Sequence, residues 1–257
     1  MHISGLTIIR NAIINGYPIA EVIDNLKLIS KEIIVLDGYS DDGTYEYLCK
    51  IPGIKIYQDK WNLSSKDGLE FARITNLGLS RCSGDHIFYL QADEIMHDED
   101  ILKLPDMIGE YNAVNMRFKH IRYDFDYCLN GGYERAIRFF KKEGIYSHYD
   151  AYTFAGNTCP TLNTEMIVYH VGYVFIKNIL QKMINHYTLF YKDAPSYKYR
   201  KELAEKYLID LKNGKQLDKI QLARQLEPMY QLIRHETSIP KCLQRLQNAN
   251  EYTFPIL

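Results

Sequence analysis

The stretch that most constrains this chain is residues 87–94, Ile-Phe-Tyr-Leu-Gln-Ala-Asp-Glu, in which four apolar or aromatic residues stop abruptly at a polar, acidic end. An apolar run this short, entered from Gly84-Asp85 and left through His97-Asp98-Glu99-Asp100, reads as a strand buried on both faces of a parallel sheet. Open α/β sheets bind ligands just outside the carboxyl ends of their strands. Asp93 and Glu94 therefore stand where a ligand would, and a divalent cation with hard oxygen ligands is the simplest one.

The same design recurs upstream. Leu6-Thr7-Ile8-Ile9 ends on Arg10-Asn11, and Pro18 opens a helix whose apolar positions Ile19, Val22, Ile23, Leu26 and Ile29 recur at helical spacing. Residues 32–36 form a second strand closed by Asp37, and turn residues from Gly38 to Thr44, with Asp41 or Asp42 as cap, lead into a helix over 44–50. A third strand at 54–57 and a loop over 61–66 precede a helix over 68–81 that turns Phe71, Ile74, Leu77 and Leu79 inward. Such alternation predicts a parallel, doubly wound sheet with right-handed crossovers.

After a helix near 99–109 the rhythm changes to strand-like runs at 113–118, 136–141, 144–147 and 166–170. From Val174 to Asn248 the pattern is helical, broken near Asp193-Ala194-Pro195, Asn213-Gly214 and Ser238-Ile239-Pro240. The expected class is α/β, a mostly parallel central sheet flanked by helices with a helical C-terminal extension, divided as residues 1–174 and 175–257.

Composition narrows the function. With 46% hydrophobic and 25% charged residues and a formal net charge of -1 over 257 residues, the chain has no basic excess that would point to nucleic acid. It shows no secretory leader and no apolar window of about 18 residues, so no transmembrane segment and a cytoplasmic location are expected. The five cysteines are scattered without CxxC spacing, which suggests neither a disulfide framework nor a zinc site. Most of the 22 tyrosines are expected to pack as half-buried amphipathic rings.

Several residues invite chemistry, each with a plainer alternative. Asp37 is either a site carboxylate or a turn residue capping its own loop. Asp93 and Glu94 either hold a ligand or complement the N-terminal dipole of the following helix. His170, after the apolar Met166-Ile167-Val168-Tyr169, is either a structural histidine or, beside a carboxylate, a ligand suited to Mn²⁺ or Mg²⁺. Neither GxGxxG after strand one nor GxxxxGK[ST] occurs, which disfavours a dinucleotide oxidoreductase and a P-loop kinase. Any bound phosphates would be neutralised by a metal and by residues such as Arg10 and Arg73.

These residues also carry a resemblance. Ile33-Ile34-Val35-Leu36-Asp37-Gly38-Tyr39-Ser40-Asp41-Asp42-Gly43-Thr44 resembles the "IIVVDxGSxDGT" signature of family 2 glycosyltransferases with the GT-A, Rossmann-like fold. Phe71-Ala72-Arg73-Ile74-Thr75-Asn76-Leu77-Gly78-Leu79, then Gly84-Asp85 and Leu90-Gln91-Ala92-Asp93-Glu94, is similar to the family's "ARNxGL…GD…LDADE" succession. Downstream, Glu134-Arg135-Ala136-Ile137-Arg138-Phe139-Phe140, Asp150-Ala151-Tyr152-Thr153-Phe154 and Val168-Tyr169-His170-Val171-Gly172-Tyr173-Val174 resemble segments of one bacterial and viral branch. Beyond about residue 195 nothing matches.

The resemblance implies an enzyme that takes a nucleotide-diphosphate sugar and passes the sugar to an acceptor hydroxyl, usually with inversion. Carried over residue by residue, it puts Asp37 at the nucleoside pocket with Arg10 and Asn11 lining it, Arg73 and Asn76 facing the diphosphate or sugar, and Gln91 and Ala92 beside the donor. Asp93 and His170 become ligands of the divalent cation, Mn²⁺ or Mg²⁺. Asp150 is the candidate general base, with Glu134 and Asp126 as runners-up; its plainer reading is a loop carboxylate paired with Arg138. Two departures stand out: Gln91 occupies the position of the first Asp of the acidic motif, and Gly38 replaces a second Asp that many members use to read the base.

The reading is thus a metal-dependent, inverting glycosyltransferase of polysaccharide biosynthesis, acting on a glycan, lipid-linked or protein acceptor. The alternatives are a nucleotide-sugar or glycan-binding protein that lost turnover, and a sugar nucleotidyltransferase. The tail's apolar stripes, Leu203, Tyr207 and Leu211, then Ile220, Leu222, Leu226, Met229 and Leu232, either pack on the sheet domain or form an acceptor platform, a homo-oligomer interface or a contact with a membrane-borne acceptor.

Overall fold

Strands buried on both faces need apolar residues pointing both ways, and the N-terminal half supplies them. In the computed structural model, which describes residues 1–63, 65, 68–189, 195–228, 230–235, 238–247 and 252, this half runs β1 (Ile3–Ile9), α1 (Ala12–Asn15), α2 (Ile19–Lys27), β2 (Glu32–Asp37), α3 (Thr44–Leu48), β3 (Ile54–Gln58), α4 (Leu69–Arg81) and β4 (His86–Tyr89). The strands lie side by side as β3-β2-β1-β4, all parallel. Ile33 and Val35 of β2 share a core cluster with Ile19, Val22, Ile23 and Leu26 of α2. Ile34 and Leu36 point the other way, into a cluster with Ile74 and Leu79 of α4. That two-sided burial is why these strands read as unbroken apolar runs rather than alternating ones.

The central strand is shorter than the apolar run implied. After β4 the Leu90 amide still donates to Leu6, but the Glu94 amide then donates to the Gln91 carbonyl at 3.0 Å and closes a turn. β5 (Glu94–Ile95) leaves in a new direction, followed by α5 (Asp98–Ile101) and α6 (Leu104–Met107). The single helix expected over 99–109 is two one-turn pieces. Pro105 cannot donate a backbone bond and its ring crowds the carbonyl of Ile101, where α5 stops.

Beyond α6 the strands are mixed in direction: β6 (Ala113–Arg122), β7 (Tyr127–Asn130), β8 (Arg135–Lys141), β9 (Ile145–Ser147), β10 (Phe154–Gly156) and β11 (Thr161–Tyr173). β8 is antiparallel to both β4 and β6, β11 runs parallel to β6 and antiparallel to β5, and β9 and β10 form a separate two-stranded pair. β11 is far longer than the apolar stretch 166–170 because its polar start is held by cross-strand partners: Asn115 donates to Asn163, and Arg117 and Arg135 both pair with Glu165.

The tail comprises α7 (Ile176–Leu189), α8 (Pro195–Lys212), α9 (Lys219–Leu226), β12 (Gln231–Arg234) and a 3₁₀ helix (Lys241–Leu246). Ile179, Leu180 and Met183 of α7, Ala204 of α8 and Leu222, Ala223 and Leu226 of α9 form their own core cluster, with Tyr123 of the sheet region buried in it. The expectation of helix from 174 to 248 fails at β12, which adds antiparallel to β7 and places Leu232 opposite Leu129. Four residues carry no period of their own, and only the waiting edge of β7 makes them a strand. Met229, Asp193, Ala194 and Asn248, and positions 64 and 66 of the loop expected over 61–66, lie outside the described residues. Among the described residues no helix is long and apolar enough to cross a membrane.

Candidate active site

The turn after β4 and the end of β11 meet because β5 pairs with β11. Glu94 lies opposite His170 in that register, and the Val171 amide donates to the Asp93 carbonyl at 2.8 Å. The result brings His170 Nε2 to 3.2 Å from Asp93 Oδ2. Asp93 is only 6% exposed. Burial alone would raise its carboxyl pKa, but the Lys182 ammonium, and then His170 in its protonated form, outweigh this and hold it well below the usual carboxylate range.

A chain of hydrogen bonds fixes which nitrogen of His170 faces Asp93. His120 Nε2 lies 3.0 Å from the Tyr133 carbonyl, which can only accept, so this nitrogen carries the proton. Burial, and next the neighbouring His170, lower the His120 pKa to about 3, so the ring is neutral and its Nδ1 is bare. His170 Nδ1, 2.9 Å away, must then donate to it. That leaves His170 Nε2 as a lone-pair nitrogen whenever the ring is neutral, and it faces a carboxylate oxygen. Two lone pairs held together in this way call for a cation or a proton between them. Two ligands of one ion at about 2.1 Å in adjacent positions lie about 3 Å apart, so the pair fits a divalent metal. Among the described residues no cluster of three or more His, Cys, Asp or Glu side chains exists for a metal. The remaining ligands would come from outside the protein, as hard cations shared with phosphates commonly arrange.

Lys182 of α7 was not singled out from the sequence. Its Nζ lies 3.0 Å from Asp93 Oδ2, 3.9 Å from the centre of the Tyr173 ring and 4.6 Å from that of Tyr17. The side chain is 4% exposed. Burial raises the Tyr17 phenol above its ordinary pKa although Lys182 opposes the shift, so this ring stays neutral beside the ammonium. Gly172 makes the cluster possible: a Cβ there would sit 2.0 Å from Asp93 Oδ2 and 2.8 Å from Lys182 Nζ.

At the other end, β1 delivers Arg10 and Asn11. Asn11 adopts the left-handed region (φ 57°), which Asn tolerates, and exchanges hydrogen bonds with Asp41: Asn11 Nδ2 donates to Oδ1 at 2.8 Å and the Asp41 amide donates back at 3.0 Å. Asp37 is fully buried behind this wall, its carboxylate accepting from the Ser40 hydroxyl and amide and from Gln58 Nε2 at 2.9 Å. The carboxylate that lines the open space here is Asp41. Gly38 also has a local reason, because a Cβ on it would lie 2.7 Å from Trp61 Nε1. The indole fills the room an acidic side chain would need.

Glu94 is committed elsewhere. It forms a bidentate pair with Arg138, at 2.6 and 2.7 Å with both side chains fully buried, and accepts from the Gln91 amide. Arg138 donates further to the carbonyls of Ile137 and Tyr152, so it pairs with Glu94 and not with Asp150. Gln91 Nε2 donates to the Ala151 carbonyl at 3.0 Å, which an acceptor-only carboxylate at that position could not do. Asp150 stands between Tyr149 (φ 52°) and Ala151 (φ 60°). Two non-glycine residues held at positive φ store strain of the kind found around functional loops.

One cleft of about 570 Å³ joins these groups; Arg10, Asn11, Gln91, Ala92, Asp93, Asp150, His170 and Lys182 all line it. Its size is that of a pocket for a small organic ligand. Three predicted residues do not line it. Asp37 lies behind it, and the Arg73 guanidinium is held by Glu70, Asp59 and the Lys60 carbonyl. Asn76 ties α4 to β9 through reciprocal 2.8 Å bonds with the Ser147 backbone. Of the runners-up, Glu134 and Asp126 are exposed and are not among the lining residues. Lys182 left one trace in the sequence, a charge spaced at i+3 from Ile179 on the buried stripe of α7; His120 left none.

Comparison with known proteins gives the following. The family model described as Glycosyl transferase family 2 matches residues 18–162. No curated protein matches. Among solved structures, S. aureus TarS 1–349 in complex with UDP-GlcNAc is similar at 12% identity and a TM-score of 0.46, over 82% of this chain and 81% of that one. The same fragment in complex with UDP is similar at 14% and 0.46, over 88% and 75%. S. aureus TarS is similar at 15% and 0.46, over 82% of this chain but only 43% of that one. Likenesses this distant say nothing of what this chain binds.

Proposed function

The chain belongs to glycosyl transferase family 2 and is a glycosyltransferase that uses a nucleotide-sugar donor; from that premise we propose a metal-dependent, inverting enzyme whose donor lies along the cleft from Arg10 to Asp93. The observation that carries this reading is the convergence of Arg10, Asn11, Gln91, Asp93, Asp150 and His170 on one cleft. In it, Arg10, Asn11 and Asp41 receive the nucleoside, with Asp37 behind them anchoring the loop through Ser40. Arg73 and Asn76 act indirectly, by holding α4 against its neighbours.

Asp93 and, with its ring neutral, His170 through Nε2 would hold the cation, Mn²⁺ or Mg²⁺. Bound there, it would supply positive charge against the two phosphates as the bond to the sugar breaks. Asp150 is exposed to the cleft and takes the proton of the acceptor hydroxyl as the new glycosidic bond forms, on the face of the sugar opposite the departing diphosphate. Gln91 keeps that loop in place through Ala151. Tyr149, 62% exposed, and Tyr152, its ring tilted against that of Tyr133 at 5.4 Å, flank Asp150 and suit the apolar face of an acceptor sugar, so the acceptor is a glycan. Residues 1–174 form the catalytic unit, and the extension 175–257 closes one wall through Lys182 and Asn185.

The test is thermal-shift and calorimetric binding of UDP, GDP, dTDP and ADP, with and without Mn²⁺, on wild type and Asp93→Ala. Stabilisation by one nucleotide that Mn²⁺ strengthens and Asp93→Ala abolishes is the expected result. No response to any nucleotide would refute the donor site. Asp150→Asn should keep donor binding and lose about 10²- to 10⁴-fold in turnover; near-normal turnover removes Asp150 from the mechanism.

A further inference from the structure

A cation is already built into the donor end of the cleft. The Lys182 ammonium is held by one carboxylate oxygen, Asp93 Oδ2, by the Tyr17 hydroxyl and by the rings of Tyr17 and Tyr173, and the Asp93 oxygen is shared with His170. A buried ion pair is by itself weak evidence for stability, since apolar residues of similar volume often serve as well or better. Here the surroundings favour ligand binding over packing. Lys182 lines the open cleft, it stands on α7, and Gly172 leaves the room its head group needs. An ammonium has three donor directions; Asp93 takes one and the Tyr17 hydroxyl a second, which leaves one for a ligand, and of these neighbours only Asp93 carries negative charge. A divalent ion on Asp93 would also meet this positive charge at the same oxygen, which weakens metal binding until added phosphate charge compensates.

We propose that Lys182 binds the donor's diphosphate directly, as a resident cation, so that this chain retains nucleoside diphosphate when divalent metal is removed. The inference rests on the donor site proposed above. Released from sole dependence on Asp93, the ammonium forms charge-assisted bonds to phosphate oxygens while the Tyr17 and Tyr173 rings hold its position. Substrate charge is then neutralised from two sides, by Lys182 on α7 and by whatever ion Asp93 and His170 hold.

The experiment is calorimetry on the EDTA-treated full chain with inorganic pyrophosphate, with UDP, GDP, dTDP and ADP, and with the matching nucleosides. Wild type, Lys182→Met and the charge-neutral pair Asp93→Asn/Lys182→Met are compared, the pair covering the case in which the single variant, with Asp93 left unpaired, does not fold. Expected without metal is that wild type binds one nucleoside diphosphate more tightly than its nucleoside. Lys182→Met, or the pair, should lose about tenfold or more in diphosphate affinity with nucleoside affinity unchanged. Diphosphate binding that needs Mn²⁺ in wild type, or a diphosphate preference that survives in both variants, overturns the inference and leaves the donor site standing. Absence of nucleotide binding with and without Mn²⁺ overturns both.

Discussion

Gly172→Ala is the sharpest test of how the charged cluster is packed. The glycine is not at a positive φ, so the cost is steric: the new methyl would lie 2.0 Å from Asp93 Oδ2 and 2.8 Å from Lys182 Nζ. Restoring ordinary contact requires the carboxylate to retreat by more than about 1 Å. That movement gives up the 3.0 Å bond to Lys182 and the 3.2 Å contact with His170 together. Overpacking a core costs about 1–3 kcal/mol, and fully separating a buried pair about 3–5 kcal/mol. The expected loss lies between, about 2–4 kcal/mol, or roughly 5–15 °C in melting temperature for a chain of this size. Thermal unfolding followed by circular dichroism measures it. A double-mutant cycle isolates the cause: in an Asp93→Ala background the obstructing oxygen is gone, so Gly172→Ala should add almost nothing. A melting temperature within 1–2 °C of wild type, or additive costs in the cycle, refutes this packing.

Three further predictions follow from single interactions. The folded-state pKa of His120 is about 3, set by burial first, against an ordinary value of 6.5. The unfolded chain therefore takes up the proton first, and this residue's contribution to stability is complete above pH 6.5 and lost as pH falls towards 3, at up to about 1.4 kcal/mol per pH unit. His120→Gln should flatten the urea-derived stability profile between pH 6.5 and 4, and an unchanged slope would contradict the assignment. Arg138→Met strands the fully buried Glu94 carboxylate and should cost about 3–5 kcal/mol by chemical denaturation, most of it recovered by adding Glu94→Gln. Gln91→Glu puts an acceptor against the Ala151 carbonyl; turnover should fall while nucleotide affinity changes by less than about tenfold, whereas a variant with raised turnover and tighter Mn²⁺ binding would show that Gln91 is a weakened ligand instead.

Much of the architecture could be read locally. Runs such as Glu-Ile-Ile-Val-Leu-Asp, with helices between them, have only one way to bury both faces, so the parallel half and its acidic strand ends followed from periodicity. Asp93, His170, Arg10 and Asn11 each stand where an apolar run stops, and the site roles expected of them come from the resemblance. Arg73 and Asn76 were drawn towards the cleft by the resemblance, but Glu70 and the Ser147 backbone compete for them, and a motif does not reveal such competitors. β12 escaped notice because its partner, β7, is about a hundred residues away in sequence.

What the chain determines by itself is which segments are strands and helices in the first half, and that carboxylates end them. What only the tertiary structure decides is who meets there. Asp93 and His170 are 77 positions apart and Asp93 and Lys182 are 89. They converge because a two-residue strand after the Gln91 turn pairs with the long strand β11, and because Gly172 leaves room for the Asp93 carboxylate and the Lys182 head group. Hydrophobic periodicity reports which face of an element is buried, not which charge lies across the gap, so the cluster at Asp93 came into view only when the elements were packed.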